Sequence, residues 1–412
     1  MLCGLMFSRI MLSVGMLVFV VCCLVHGNIT KQVKTFLSSP FLWSMSLLFV
    51  VPLISGLWSE HFSQWSQIIR IKTPLLLLPV CFAGLNTFDY QDWRRIALLF
   101  LAIAFAGAAW SLWQYFQDMA SAQAAYLKAQ TIDAPLGNDH VRFSLLISIA
   151  AFTSTFLLVT AKRQHKRTTF LLAVITIGLI IYLHILAVRT GLICFYIGLA
   201  VFIFYLLRKK QKLRYAWLLL LLMFFPLVSW FVFPTFKNRI NYLKYDLSLA
   251  KNDTYRSGSN DGNRLISIKA GWQLQVDHPF TGVGFGDLKT EMAAVYEKKY
   301  GRMAESDMIL PSSEWLMYGA GAGWPGLILF SLVMIVPFFV RRFKNNVAWW
   351  LLNIFMALSY LFDIGLEVQY GVFIHAFILL WWYKWLTVAP KNGQMEKFEN
   401  VFGVQTPNLT EN

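Results

Sequence analysis

The residues best suited to chemistry fall in the stretch 261–326, which opens as DGNRLISIKAGWQLQVDHPFTGVGFGDLKTEM and closes as PSSEWLMYGAGAGWPGL. Within it, NRLISIKAGWQLQ spaces its apolar residues as a helix does, with Asn263 or Asp261 as the cap. Arg264 then sits in the first turn, where a cation opposes the helix dipole. A residue unfavourable to its own helix points to service to a ligand. GVGFGD carries Gly282, Gly284 and Gly286 but follows no strand pattern, which argues against a dinucleotide loop. A tight turn facing lipid or ligand accounts for it better, with Asp287 capping the helix LKTEMAAVYEKKYG that stops at Gly301. Ser312, Ser313 and Glu314 follow at a membrane surface, ahead of Gly319, Gly321 and Gly323, whose small size lets helices approach closely.

Two further sets of charges stand out because they adjoin apolar runs. Arg189 is wedged between two runs with only Val188 and Thr190 beside it. A charge inside a span costs about 2.5–3.5 kcal/mol on insertion scales, so it is either functional or an interfacial arginine that snorkels to water. The same two readings are open for Arg70 and Lys72 in QIIRIKTPLLLLPV: snorkelling cations, or an anion site if that end faces outward. The five cysteines lie in apolar runs without metal-ligand spacing and read as packing residues.

The elements that must position these residues are membrane helices. Of the 412 residues, 57% are hydrophobic and only 14% charged, and mean hydropathy is +0.55, against about 25% charged in soluble chains. The apolar runs are continuous rather than alternating, which excludes a barrel and predicts an all-α polytopic membrane protein. The net charge of +15 invites a nucleic-acid partner, but the cations cluster at span ends as KRQHKR (162–167), RKKQKLR (208–214) and RRFK (341–344). That is the positive-inside pattern, so the partner is the lipid bilayer and not nucleic acid.

The pattern predicts about 11–12 transmembrane helices: an N-terminal block over 1–234, a large loop with short helices over 235–311, a C-terminal block over 312–388 and a tail over 389–412. The first span covers about 2–26, the second 40–57, and the third is a short run after Arg70 and Lys72. Placing the basic loops in the cytoplasm puts the large loop, Arg189, Arg70, Lys72 and the turn with Asp363 and Glu367 together on the outer face. Counting back through eleven spans puts the N-terminus outside, so either an earlier span precedes this start or the first run behaves unusually.

These residues, taken in order, resemble the O-antigen ligase and polymerase family of bacterial envelope glycosyltransferases. The matching pieces are Arg189, Thr190 and Gly191, then Arg264, Trp272, Pro279, Gly282 and Gly286, the polar–Glu–hydrophobic step at 312–316 with Pro325 and Gly326, and the acidic turn of Asp363 and Glu367. No single motif is specific; the ordered set, which covers most of the chain, is more so. The resemblance implies an inner-membrane enzyme that moves a glycan from a polyprenyl-diphosphate donor to a lipid or polysaccharide acceptor at the periplasmic face, without a metal, nucleotide sugar or other cofactor. It assigns Arg189 and Arg264 to the diphosphate, a role that suits guanidinium forks; Arg70 and Lys72, from their place on the same face, are expected as secondary contacts. The family's histidine, which takes the acceptor's proton, corresponds here to Ser312, and serine is no base near neutral pH without a partner. Glu314, His278 and His140 are the substitutes, Glu314 being nearest in sequence. An O-antigen polymerase, a protein O-glycosyltransferase of the same fold, and a non-catalytic or flippase-like protein that handles lipid-linked glycan remain alternatives. A deletion strain separates the enzymes: unattached long chains for a ligase, single repeats for a polymerase, unglycosylated protein for the third.

Overall fold

The computed structural model describes residues 1–127, 130–160, 166–210, 219–251, 255, 257–301 and 303–388. The polar tail and most of the basic blocks at 162–167 and 208–214 lie outside the described residues. In lipid the backbone must satisfy its own hydrogen bonds, and every apolar run expected as a span folds as helix, with no strand among the described residues. The first half comprises α1 (Leu2–Phe7), α2 (Arg9–His26), α3 (Ile29–Ser38), α4 (Pro40–Ser55), α5 (Phe62–Lys72), α6 (Pro74–Gly84), α7 (Tyr90–Gln117), α8 (Met119–Tyr126), a single turn α9 (Pro135–Asn138) and α10 (His140–Thr160). There follow α11 (Lys166–Leu186), α12 (Arg189–Lys210), α13 (Leu219–Val232), α14 (Pro234–Lys251), α15 (Asn260–Asp277), α16 (Leu288–Tyr300), α17 (Glu314–Ile335) and α18 (Val347–Leu361). The chain closes with α19 (Gln369–Phe373), a π-helical turn (Ile374–Ile378) and α20 (Leu379–Thr387).

Among the described residues six helices are long and apolar enough to cross a membrane, fewer than the eleven runs expected. The difference lies in how the runs fold. The first run breaks at Ser8, whose hydroxyl accepts the Ile10 N–H at 3.2 Å, and α2 and α3 bend 108° from one another. Three others, Pro40–Ser55, Leu222–Val232 and Val347–Leu361, are apolar but shorter than 18 residues. The final run, from Gln369 to Thr387, is interrupted by the π turn at Ile374–Ile378. The third run is longer than expected, because Thr73 keeps helical dihedrals and Pro74 takes a first-turn position that needs no N–H donor. Together α5 and α6 make a 23-residue candidate span, Phe62–Gly84, so Arg70 and Lys72 lie within it and not before it. At the centre stands α10, 78% of whose apolar window is buried against 33–44% for the other candidate spans.

The polar stretch between α13 and α17 is largely helical and packs on the bundle. α15 begins earlier than the apolar spacing suggests, because the Ser259 hydroxyl accepts the Gly262 N–H at 3.2 Å and caps the helix. Arg264 therefore sits in the second turn, and Asp261, not an arginine, occupies the first. α16 spans Leu288–Tyr300 as its sequence predicts and ends on Gly301 at φ +46°. Asp287 holds its N-cap position without capping it. Its carboxylate instead accepts the backbone N–H groups of Glu60 and His61, both at 2.8 Å, and lies 2.6 Å from His61 Nδ1.

The glycine run in α17 serves that loop. Gly323 adopts φ +66°, ψ −163°, a region essentially reserved to glycine, and breaks the helix there. The carbonyls so released are taken up: Val283 N–H donates to Ala320 O at 2.9 Å and Gly284 N–H to Gly321 O at 3.1 Å, while Trp324 N–H donates to Pro279 O at 2.8 Å. A Cβ on Gly323 would meet the Pro279 and Phe280 backbone. The 279–287 loop is thus fastened to α17 on one side and to the 55–61 segment on the other.

Asp287→Ala weakens the second fastening, leaving the Phe285 and Gly286 N–H groups on Ser55 and Ser59, and is expected to cost about 1–3 kcal/mol, the usual penalty for orphaned donors. Burial works against Asp287, but the hydrogen bonds from His61 and Glu60 outweigh it and hold the carboxyl below its ordinary value of 3.8. A folded-state value below the unfolded one gives stability present above the unfolded value and lost as the pH falls through the folded one. Thermal melts of the two proteins in detergent should therefore differ at neutral pH and converge below about pH 4. A constant gap across that range would exclude the ionised Asp287 as its source.

Candidate functional site

The hairpin between α11 and α12 is what presents Arg189. Its tight reversal puts Ala187 at φ +50°, and the last carbonyls of α11 are taken by Tyr126 Oη (2.8 Å to Leu186 O) and Thr235 Oγ1 (2.7 Å to Ile185 O). Gly191 then presses on α10: a Cβ would sit 2.6 Å from Ser144 O, and Ser148 Oγ donates to Gly191 O at 2.8 Å. Small size at 191 is what seats the first turn of α12 against the central helix. Arg189 leaves that turn and forms an ion pair with Asp261 of α15.

Around this pair the structure gathers charges from six segments. On α14, Arg239, Tyr242 and Asp246 follow one another at i, i+3 and i+7 along a single face. Arg239 is buried, lies 6.0 Å from the Tyr242 ring and has Arg189, Asp261 and Arg264 as electrostatic neighbours. Asp246 accepts from the Asp261 N–H at 2.5 Å and pairs with the Ser259 hydroxyl, locking α14 to the start of α15. Arg264 Nη1 donates to Phe362 O at 3.2 Å. From α10, Arg142 reaches Asp363 Oδ2 at 3.0 Å and Ile364 O at 2.9 Å, with Asp139 at 3.4 Å. His140, at the head of the same helix, has Arg239, Asp139 and Arg264 as neighbours.

Four guanidiniums, Arg142, Arg189, Arg239 and Arg264, thus share one region with Asp139, Asp261 and Asp363. Burial is the largest influence on Arg239 and Arg264 and draws both below the ordinary arginine value, with the positive charge of Arg189 acting in the same direction. Burial also raises Asp363, against the attraction of Arg142 and Arg264. With Asp246 beside Asp261, four carboxyls face the four guanidiniums, and burial disfavours the charges of Arg239 and Arg264, a cost that a bound anion would offset. Asp261 Oδ2 and Asn263 Oδ1 are buried without a protein partner here.

A second charged group sits apart from the first. Lys72, fully buried in the α5–α6 span, lies 2.6 Å from Glu367 Oε1, with Tyr318 Oη at 3.5 Å and the Phe285 and Tyr318 rings at 5.5 and 5.0 Å. Glu314 is also fully enclosed, and its Oε1 accepts the Leu366 N–H at 2.7 Å. The acidic turn therefore ties the two groups together, Asp363 on one side and Glu367 on the other.

Of the residues singled out from sequence, Arg189, Arg264 and His140 converge. Ser312 lies just behind them: its Oγ is 3.0 Å from Ser267 Oγ, which donates to Arg264 O at 2.8 Å. Lys72 and Glu314 belong to the enclosed group. Arg70 is exposed, its Nε donating to Ser66 O at 3.3 Å. His278 is exposed at the C-terminal end of α15, some 14 residues and about 21 Å along the helix from Arg264. Sequence reading missed Arg239 and Arg142. The signal for Arg239 was the polar face it shares with Tyr242 and Asp246; for Arg142 it was an arginine two residues inside the span. Among the described residues no group of three His, Cys, Asp or Glu side chains could hold a metal ion.

Comparison with curated proteins finds no match. Residues 171–331 of this multi-helix membrane protein, which carry Arg189, Arg239, Arg264, Ser312 and Glu314, match the family model described as O-antigen ligase, and over that stretch the chain is similar to that family.

Proposed function

We propose that this protein transfers a glycan from a polyprenyl-diphosphate carrier to an acceptor hydroxyl at the periplasmic face of the bacterial inner membrane, as an O-antigen ligase does. The carrying observation is that Arg189, Arg239 and Arg264, on three separate helices within the matched segment, meet in one half-buried cluster. Guanidinium forks fit diphosphate oxygens. In the reaction the acceptor oxygen bonds to the anomeric carbon, the bond from that carbon to the diphosphate oxygen breaks, and polyprenyl diphosphate leaves. Fixed positive charge where the leaving group gains negative charge lowers the barrier electrostatically.

The acceptor's proton needs a base, and His140 is the histidine that lies among the arginines. Glu314, enclosed and held by Leu366, serves in this reading to position the acidic turn. Purified protein mixed with a lipid-linked glycan and a lipid A-core acceptor should release polyprenyl diphosphate and glycosylate the acceptor; absence of transfer to every acceptor class would overturn the reading. In that assay His140→Gln should lower kcat by about 10²–10⁴-fold with little change in donor KM, while Ser312→Ala changes kcat little. Full activity in the His140 variant would place the base elsewhere.

A further inference from the structure

At the end of the bundle opposite the arginine cluster, a groove opens between the α3–α4 corner and the end of α17. Its origin is local. After Ile335 the helix tightens into the 3-10 turn Val336–Phe339, with Pro337 unable to continue the α-helical hydrogen bonds, and the Pro337 carbonyl instead accepts from Trp349 Nε1 at 2.8 Å. The space left between this turn and Pro40 is a cavity of about 770 Å³, within the range of small-ligand sites.

The groove has an apolar wall and a basic mouth. Leu332, Ile335 and Phe339 are 56%, 47% and 78% exposed along the wall, and Arg341 and Arg342 line the mouth with Tyr383. Arg342 is steadied by its Nη2 donating to Thr387 O at 2.5 Å. Lys344 is exposed just beyond, and Lys31 and Lys34 are exposed on α3, which forms the other bank. Among the described residues none of these five cations forms an ion pair with a carboxylate. Apolar length ending in uncompensated positive charge, at a membrane surface, complements one kind of molecule: an acyl chain ending in an anionic phosphate. Basic pockets between spans take anionic lipid headgroups in this way.

We propose that the groove is a binding site for an anionic glycerophospholipid, with one acyl chain along Leu332 and Phe339 and its phosphate between Arg341 and Arg342. It is separate from the arginine cluster at the other face and independent of the donor. The test is retention of lipid by detergent-purified protein, read by native mass spectrometry after exchange into phosphatidylglycerol or phosphatidylcholine. Wild type should retain phosphatidylglycerol preferentially, and Arg341→Gln with Arg342→Gln should lower that retention roughly thirtyfold, from about 1 kcal/mol for each of the two basic residues. Leu332→Trp keeps both arginines but obstructs the wall, and should also release the lipid. It decides the matter if the arginine pair variant fails to fold. Equal retention of the two lipids by wild type, or unchanged retention in Leu332→Trp, overturns the proposal. Displacement of the lipid by inorganic phosphate alone also overturns it, since that marks a simple anion site.

Discussion

Replacing Arg189 or Arg264 with alanine is expected to lower glycan transfer by about 10²–10³-fold, the loss that follows removal of one preorganised donor to a developing negative charge. Membrane insertion and elution as a folded species should be unchanged for Arg264→Ala, because the Arg264 side chain donates to a backbone carbonyl, that of Phe362. Arg189 needs a further control, because its removal leaves Asp261 buried and unpaired. If Arg189 serves only to neutralise Asp261, then Arg189→Ala combined with Asp261→Asn should regain transfer. If it holds the diphosphate, the double variant should stay as inactive as the single one. Lysine at either position should recover little, since an ammonium cannot make the bidentate contact. Normal transfer in both alanine variants would remove the cluster from the reaction altogether.

Lys72→Met is expected to destabilise the protein by about 3–5 kcal/mol, the cost of leaving a buried partner charge uncompensated. The reason is the enclosure: Lys72 is fully buried and 2.6 Å from Glu367, whose side chain is 6% exposed, and Glu314 beside them is fully buried too. The ammonium pairs directly with Glu367 and acts on Glu314 only through its field, so its loss falls mainly on Glu367. Lys72→Met with Glu367→Leu should recover much of the loss, because replacing both members of a buried pair by apolar residues of similar size is often close to neutral. A double-mutant cycle on thermal melts measures this coupling. Additive losses would mean that the pair contributes no mutual stabilisation. Transfer should be largely retained in the double variant, since Asp363 keeps its hold on Arg142 from the other end of the turn.

Sequence by itself determined the elements. The apolar runs had to be helices because lipid offers the backbone no other partner, and boundaries follow from local signals such as Gly301 and the hairpin at 187–190. It also exposed Arg189 and Arg264, since a charge beside a span and a cation near a helix N-terminus are each visible within a few residues. Where the local signal was ambiguous the reading slipped: Ser259, not Asn263 or Asp261, caps α15, and the first run breaks at Ser8.

What only the tertiary structure decided was which charges meet. Arg142, Arg239 and Asp363 join Arg189 and Arg264 from positions spread over 221 residues, 142 to 363, and Lys72 finds Glu367 across 295 residues, 72 to 367. Helical periodicity fixes which face a side chain occupies on its own helix. It says nothing of which other helix that face will meet, because the meeting depends on how whole helices pack around α10 and how the 279–287 loop is fastened to α17. The identity of a cation was therefore legible in the chain, whereas its partner, and with it the difference between the arginine cluster around Arg189 and the enclosed pair at Lys72, was set by packing.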